Sequence, residues 1–279
     1  MVAPSSFPAG AMQLSALYRY PVKSAGAESL TAAEVQMRGL AGDRRWMVVD
    51  ATGRFLTARQ HHDLVQVQAR HLDGGVRLIH PALGVLEVAV PGTDAERQKV
   101  TVWDDTVDAV RSAGAASDYL SQLLGQEAHL VYMDASAVRV VDPKYAQHAD
   151  EVSFADGYPL LLISQAALDQ LNARASHPVP MLRFRPNLVV QGCDPHAEDR
   201  WRRVRIGEVE FELAKACVRC VFTTLDPDSG VPDAEGEPLR TLKTYRRSPK
   251  GITFGQNLIP RGTGKLRVGD PVTLIEQLL

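Results

Sequence analysis

Cysteine is scarce in this chain: three residues in 279, at positions 193, 217 and 220. So small and odd a number rules out a disulfide framework and leaves at least one thiol free, which fits a reducing, cytoplasmic setting. Long apolar runs are also missing. No stretch approaches the roughly 18 consecutive apolar residues that a membrane-spanning helix requires. The opening MVAPSSFPAGAM has neither a basic start nor an apolar core, so neither a signal peptide nor a membrane anchor is expected. Charge of one sign is not in surplus: 31 Lys and Arg face 33 Asp and Glu, a formal net charge of -2. That balance gives no global attraction to nucleic acid or to an anionic membrane, so any anion site has to be local. Glycine-rich phosphate loops and the G-x-S-x-G elbow are absent, which leaves dinucleotide, kinase and hydrolase readings without support.

What is present is a globular composition, 45% hydrophobic and 23% charged, long enough for one large domain or two modest ones. Short apolar or alternating runs between turn residues dominate, and they predict a mainly β protein, rich in barrel structure, with few helices. Trp46 to Asp50, the turn to Gly53 and Arg54 to Thr57 predict one hairpin. Val76 to His80 with Val85 to Val90, and Val100 to Trp103 with Val107 to Arg111, predict two more. Ser117 is a candidate cap for a helix over Asp118 to Leu124 that stops at Gly125. A second helix is expected from Gln165 to about Ala175, capped by Ser164, with Leu168 and Leu171 on one face. The run Pro159 to Ile163 is apolar throughout, so it reads as a strand buried on both faces. Its end meets a helix N-terminus, a natural place for phosphate. Asp226 to Pro238, acidic and rich in Pro and Gly, reads as a surface loop.

The segment Cys217-Val-Arg-Cys220 is the strongest chemical signal. Two thiols at this spacing can face one point on a turn, and a neighbouring arginine favours the thiolate that binds metal. The residue types alone leave three readings open. The pair can be buried and inert, or it can join Cys193 and His196 as a zinc site, or it can be a redox pair. The surrounding run, Phe211 to Phe222, reads as strand rather than as the tight knuckle that zinc prefers. Arg219 then points away from both thiols, because side chains alternate along a strand, and would reach a ligand only through its backbone.

The segment Cys217 to Gly230 resembles the signature of MOSC domains, in the version carried by the amidoxime-reducing components and their bacterial relatives. Further matches follow in the order of that family: Tyr20-Pro-Val-Lys-Ser24, Gly42-Asp-Arg-Arg-Trp46, Thr57-Ala-Arg-Gln60, Phe184-Arg-Pro-Asn187, Gly192-Cys193, Glu237-Pro-Leu239, Phe254-Gly-Gln-Asn257 and Val268-Gly-Asp-Pro271. Each is weak alone, and the ordered set is specific from about Leu14 onward. The resemblance implies a β-rich N-terminal domain over 12–133 and a MOSC β-barrel over 134–279, with 12–44 also pairing with the second barrel.

It also implies a molybdenum cofactor, a pyranopterin carrying the metal, with Cys220 as the one protein thiolate on molybdenum and hence the catalytic residue. A soft thiolate suits that coordination sphere. Lys23, Ser24, Arg44, Arg185 and Asn187 match the family's cofactor-binding positions, where arginine suits planar contacts to phosphate or pterin edges. Asp156, Arg219 and Asn257 are further candidates; at Asn257 the animal relatives carry tyrosine. The implied reaction removes oxygen from an N-hydroxylated small molecule such as an amidoxime, at the metal held by Cys220. No iron-sulfur cysteine set is present, so a separate reductase or a carrier of ferredoxin or cytochrome type is the expected electron donor, with neither nucleic acid nor membrane as partner. The alternative is a protein that carries the cofactor or its sulfur without turnover.

Overall fold

A computed structural model describes residues 11–146 and 150–278. The protein is mainly β, with three α-helices among the described residues. A nine-stranded sheet forms its larger half. The strands run side by side in the order Val272–Gln277, Trp201–Ile206, Val209–Val218, Gly251–Pro260, Leu160–Ser164, Leu188–Gln191, Gln13–Arg19 and Glu28–Leu30. The ninth, Arg247–Ser248, folds back on the start of Gly251–Pro260. The first strand thus lies antiparallel to Leu188–Gln191, 174 residues away at Ser15 and Val189, where the Ser15 hydroxyl donates to the Val189 carbonyl. Ala32–Gln36 pairs with Gly264–Arg267. The segment that carries Lys23 and Arg44 is therefore laced to the C-terminal sheet at both ends.

Leu160–Ser164 is buried at every residue, as its unbroken apolar run predicts. Leu160 and Leu162 join the cluster of Leu14, Phe211 and Leu258 on one face. Leu161 and Ile163 join Leu168, Phe184 and Phe254 on the other. The strand is the partition between two cores, and burial of each such side chain contributes roughly 1.5–3 kcal/mol.

The smaller half holds a four-stranded sheet, ordered Trp46–Asp50, Ala128–Tyr132, Asp105–Arg111, Arg97–Val102, and a meander of Gln68–Leu72, Gly75–His80 and Gly84–Ala89. The two hairpins predicted in this region from alternation form, Gly75–His80 with Gly84–Ala89 and Arg97–Val102 with Asp105–Arg111. The Asp50 turn closes as well: Val49 bridges Phe55, and Gly53 takes a φ of 82° that a side chain would resist.

The helices differ in detail from the expectation. The first begins at Gly114, after an extended Ala113, and ends at the left-handed Gly125. Ser117 is inside it, 3.1 Å from His129 Nδ1, and caps nothing. The second starts as predicted, with Ser164 Oγ accepting from Ala167 N, and stops at Asn172 rather than Ala175. Asn172 pairs through both ends of its amide with Val179, which draws the chain out of the helix. The third, Leu239–Tyr245, buries only Thr241 and Leu242, too little periodicity to be visible in sequence. No helix among the described residues is long and apolar enough to cross a membrane.

Candidate active site

The segments that carry Lys23, Arg44, Arg59, Asp156, Arg185 and Cys220 meet in one cleft. Every residue that the family resemblance implies for the metal or cofactor lines it: Lys23, Ser24, Arg44, Asp156, Arg185, Asn187, Arg219, Cys220 and Asn257.

Asn187 ties the loops together. It is 1% exposed, and its amide is fully used. Nδ2 donates to the Tyr18 carbonyl and to Asp43 Oδ1, while Oδ1 accepts from Leu161 N and from Arg44 Nη1. It serves as the post that holds Arg44, with no amide valence left for a ligand. Asp43 completes the knot by accepting from Tyr20 N, and its other oxygen pairs with Arg44 at 2.7 Å.

Tyr20 is a platform that the sequence reading did not single out. The Arg44 and Arg185 guanidiniums each lie 4.2 Å from its ring centroid, and Arg185 also faces Phe222 at 5.2 Å. Its hydroxyl donates to the Pro186 carbonyl, and burial pushes its ionisation well above the ordinary tyrosine value, so the ring stays neutral between two cations. Burial lowers the Arg185 pKa to about 10, with the nearby Arg44 adding to the shift. It still carries its charge at neutral pH.

Lys23 is 5% exposed and donates to the Phe154 carbonyl and to Asp156. Burial drives its pKa down, and the Asp156 carboxylate at 2.6 Å opposes that. Asp156 is the one carboxylate in the lining. Crowding works against its charge, but Lys23 and Arg59 hold it ionised well below the usual carboxylate range. Arg59 stacks 4.4 Å over Trp103, which closes the same wall.

Cys220 heads the short 3-10 turn Val221–Thr224, where the backbone and hydroxyl of Thr223 both donate to its carbonyl. The strand before it ends at Val218 and carries register irregularities at Leu213/Lys215 and Ala216/Val218. These break the alternation that set Arg219 opposite the thiols. Arg219 instead folds back: Nη1 is 2.8 Å from Cys217 Sγ and Nη2 donates to the Phe184 carbonyl. Its side chain, not only its backbone, belongs to the site, and Cys217 is engaged by it.

Six cations, Lys23, Arg44, Arg59, Arg183, Arg185 and Arg219, therefore line the cleft with Asp156, while Asp43 behind Arg44 and Asp233 behind Arg183 offset two of them. The Nε atoms of Arg183 and Arg219 are buried without a partner among the described residues. Five non-glycine residues among those described have positive φ, and four of them, Ser24, Arg44, Trp103 and Arg185, line this cleft. Such backbone costs of order 1–3 kcal/mol each and persists where the surroundings impose it, commonly at ligand clamps.

The zinc reading finds no geometry. Among the described residues no group of three or more His, Cys, Asp or Glu side chains could hold a metal. His196 packs against Tyr245 and Phe254, and Cys193 against the sheet core. The sequence also left Arg59, Arg183, Trp103 and Thr223 unassigned. Arg59 lay inside the quoted Thr57-Ala-Arg-Gln60 element, and Trp103 showed itself only as an aromatic at a hairpin turn.

The MOSC N-terminal beta barrel domain matches residues 11–127, and the MOSC domain matches 149–273. Mitochondrial amidoxime-reducing component 1 of Homo sapiens is 33% identical over 94% of this chain and 82% of its own length. Mitochondrial amidoxime reducing component 2 of Rattus norvegicus is 35% identical over 93% and 82%. The chain belongs to the MOSC family. Among solved structures, the YUAD protein of Bacillus subtilis aligns over 94% of this chain and 93% of its own at 11% identity, with a TM-score of 0.42, a likeness too loose to argue from.

For a MOSC protein the group to test against this cleft is the molybdenum cofactor. The donor set fits it. Unpaired guanidinium nitrogens and a cationic lining suit its phosphate, the stacked Tyr20, Arg44 and Arg185 offer planar edges, and a free Cys220 thiol offers soft ligation.

Proposed function

We propose that this MOSC protein is a molybdenum-cofactor-dependent reductase of N-hydroxylated compounds such as amidoximes. The observation that carries the reading is the Cys220 thiol on the wall of a cleft lined by six cations and four left-handed non-glycine residues. The relatives whose names describe amidoxime reduction, similar over most of their length, support the substrate class.

Bound here, the cofactor would supply two-electron oxygen-atom transfer. The chain's own part is positional. Lys23, Arg44 and Arg185 would neutralise the phosphate, and burial of Lys23 strengthens its contacts by lowering the local dielectric. Asn187 and Asp43 fix Arg44, so no ordering is left to be done on binding. Arg219 holds Cys217 aside and leaves Cys220 as the thiol for the metal. The net reaction converts amidoxime, two electrons and two protons to amidine and water. A separate electron-donor protein completes the proposal.

The test is elemental analysis with a fluorescence assay for oxidised pterin, then benzamidoxime reduction with reduced methyl viologen. Near-stoichiometric molybdenum with pterin and turnover is expected in the wild type, with turnover lost in Cys220→Ala. Cofactor exchange to an apo-acceptor without turnover would point to a carrier, and zinc without pterin would overturn both readings.

A further inference from the structure

Resting on that reading of the cleft, we propose that the basic surface beside the Cys217 to Cys220 segment is the docking site of a small acidic electron-carrier protein. Residues 239–252 hold five basic side chains and no acidic one. Arg240 and Arg246 are ion-paired with Glu235 and Asp199. Lys243, Arg247 and Lys250 are exposed, and none has a carboxylate partner among the described residues.

A second cluster meets this one. The ammonium groups of Lys144, Lys215 and Lys250 lie 5.7, 5.0 and 5.3 Å from the ring centroid of Tyr145. Lys250 Nζ also donates to the Tyr145 hydroxyl at 2.7 Å, and this bond with the neighbouring ammonium groups pulls that hydroxyl's pKa below its ordinary value. Asp142, which accepts from Lys144 N, is the acidic side chain close by. Three ammonium groups around one ring repel each other, which works against the contacts they make with it. An anionic partner would relieve that repulsion.

The patch is continuous with the cleft. Tyr145 meets Tyr158 edge to face at 6.4 Å, and Tyr158 lines the cleft wall. The basic hairpin is hydrogen-bonded to the cysteine segment, Arg219 N donating to the Ile252 carbonyl at 2.7 Å. A Cβ on Gly251 would stand 2.9 Å from Val218, two residues before Cys220, so the turn touches the thiol-bearing chain. Val218 and Val221, on either side of Arg219 and Cys220, are 42% and 56% exposed. An apolar centre beside a cationic rim is the make-up of a small, transient interface, and its charges raise the encounter rate more than the affinity. A carrier docked here would deliver its electrons one at a time next to Cys220, solvent supplying the two protons and the N-hydroxylated substrate accepting both electrons.

The test pairs cofactor-loaded wild type with Lys144→Glu/Arg247→Glu/Lys250→Glu, using reduced plant-type [2Fe–2S] ferredoxin as donor and benzamidoxime as acceptor. The apparent KM for ferredoxin should rise by about tenfold or more and lose its salt dependence, while viologen-driven turnover stays unchanged. A milder Lys144→Gln/Lys250→Gln variant should fall between and guards against misfolding of the first. Equal ferredoxin KM in all three proteins overturns the docking site. If the wild type shows no viologen-driven turnover, the reductase reading fails instead. An NMR titration of labelled oxidised ferredoxin then decides docking alone: salt-sensitive binding lost in the variants supports it, equal binding refutes it.

Discussion

The two ends of the buried strand Leu160–Ser164 differ in what surrounds them, though polar atoms without partners among the described residues lie near both. At its start, Leu160 and Leu161 line the cleft together with six cations, two of which, Arg183 and Arg219, have a buried Nε without a partner among the described residues. At its finish, Ser164 and Glu198 are both 0% exposed; Glu198 Oε1 accepts from Ser164 N, while Glu198 Oε2 and both His196 ring nitrogens lack partners among the described residues. Unsatisfied polar atoms thus occur at both ends. Those at the start belong to side chains that line a cleft, within reach of a ligand. At the sealed end they act on ionisation instead: burial raises the Glu198 carboxyl and pushes His196 down to about 4, both toward the neutral form.

The sharpest way to break that contrast is to exchange the effects. Cys220→Ala should abolish benzamidoxime turnover and leave the urea midpoint in place. Glu198→Ala should do the reverse, removing about 1–3 kcal/mol by orphaning the buried Ser164 N–H while pterin content holds. Loss of cofactor in Glu198→Ala at preserved stability would mean that the two ends are one site.

The same strand shows what sequence could and could not reveal. Its two-sided burial was legible from the apolar run Pro159 to Ile163, and the hairpins were legible from alternation. Cleft residues such as Lys23, Arg44 and Arg185 were legible only through the ordered family motifs, since each alone reads as a surface charge. The helix start after Ser164 was legible too, but not that Glu198, 34 residues further on, would accept from the Ser164 N–H there. A carboxylate brought in by tertiary folding leaves no local trace. Arg219 was misdirected for a related reason: the irregular register between Val209–Val218 and Gly251–Pro260 breaks the period of two, and pairing partners cannot be read from one strand.

A smaller effect tests the strain at the open end. Ser24 has a φ of 69° and no side-chain hydrogen bond among the described residues, so Ser24→Gly removes backbone strain at little other cost. Stability should rise by up to about 1 kcal/mol in thermal unfolding, since relief of strain outweighs glycine's added chain entropy. Pterin retention should fall, because the loop no longer holds its bound shape. A stability loss would show that the left-handed turn is not strained.

The smallest effect belongs to the sealed end and is read as pH dependence. His196 is depressed by burial and by Arg246 and Arg174, with Asp199 opposing, so its neutral form is favoured in the folded chain. The unfolded chain binds the proton first: this contribution is complete above about 6.5 and is lost as pH falls toward 4. Glu198, raised by burial, has the opposite sign; its contribution is present below the unfolded carboxyl value and lost as pH rises through the folded one. The two partly cancel on acidification. His196→Asn, which keeps a residue tolerant of the φ of 59° there, should flatten the acid limb of a urea-midpoint profile between pH 4 and 6.5. Glu198→Gln should steepen it, and identical profiles for all three proteins would show that neither group is coupled to folding.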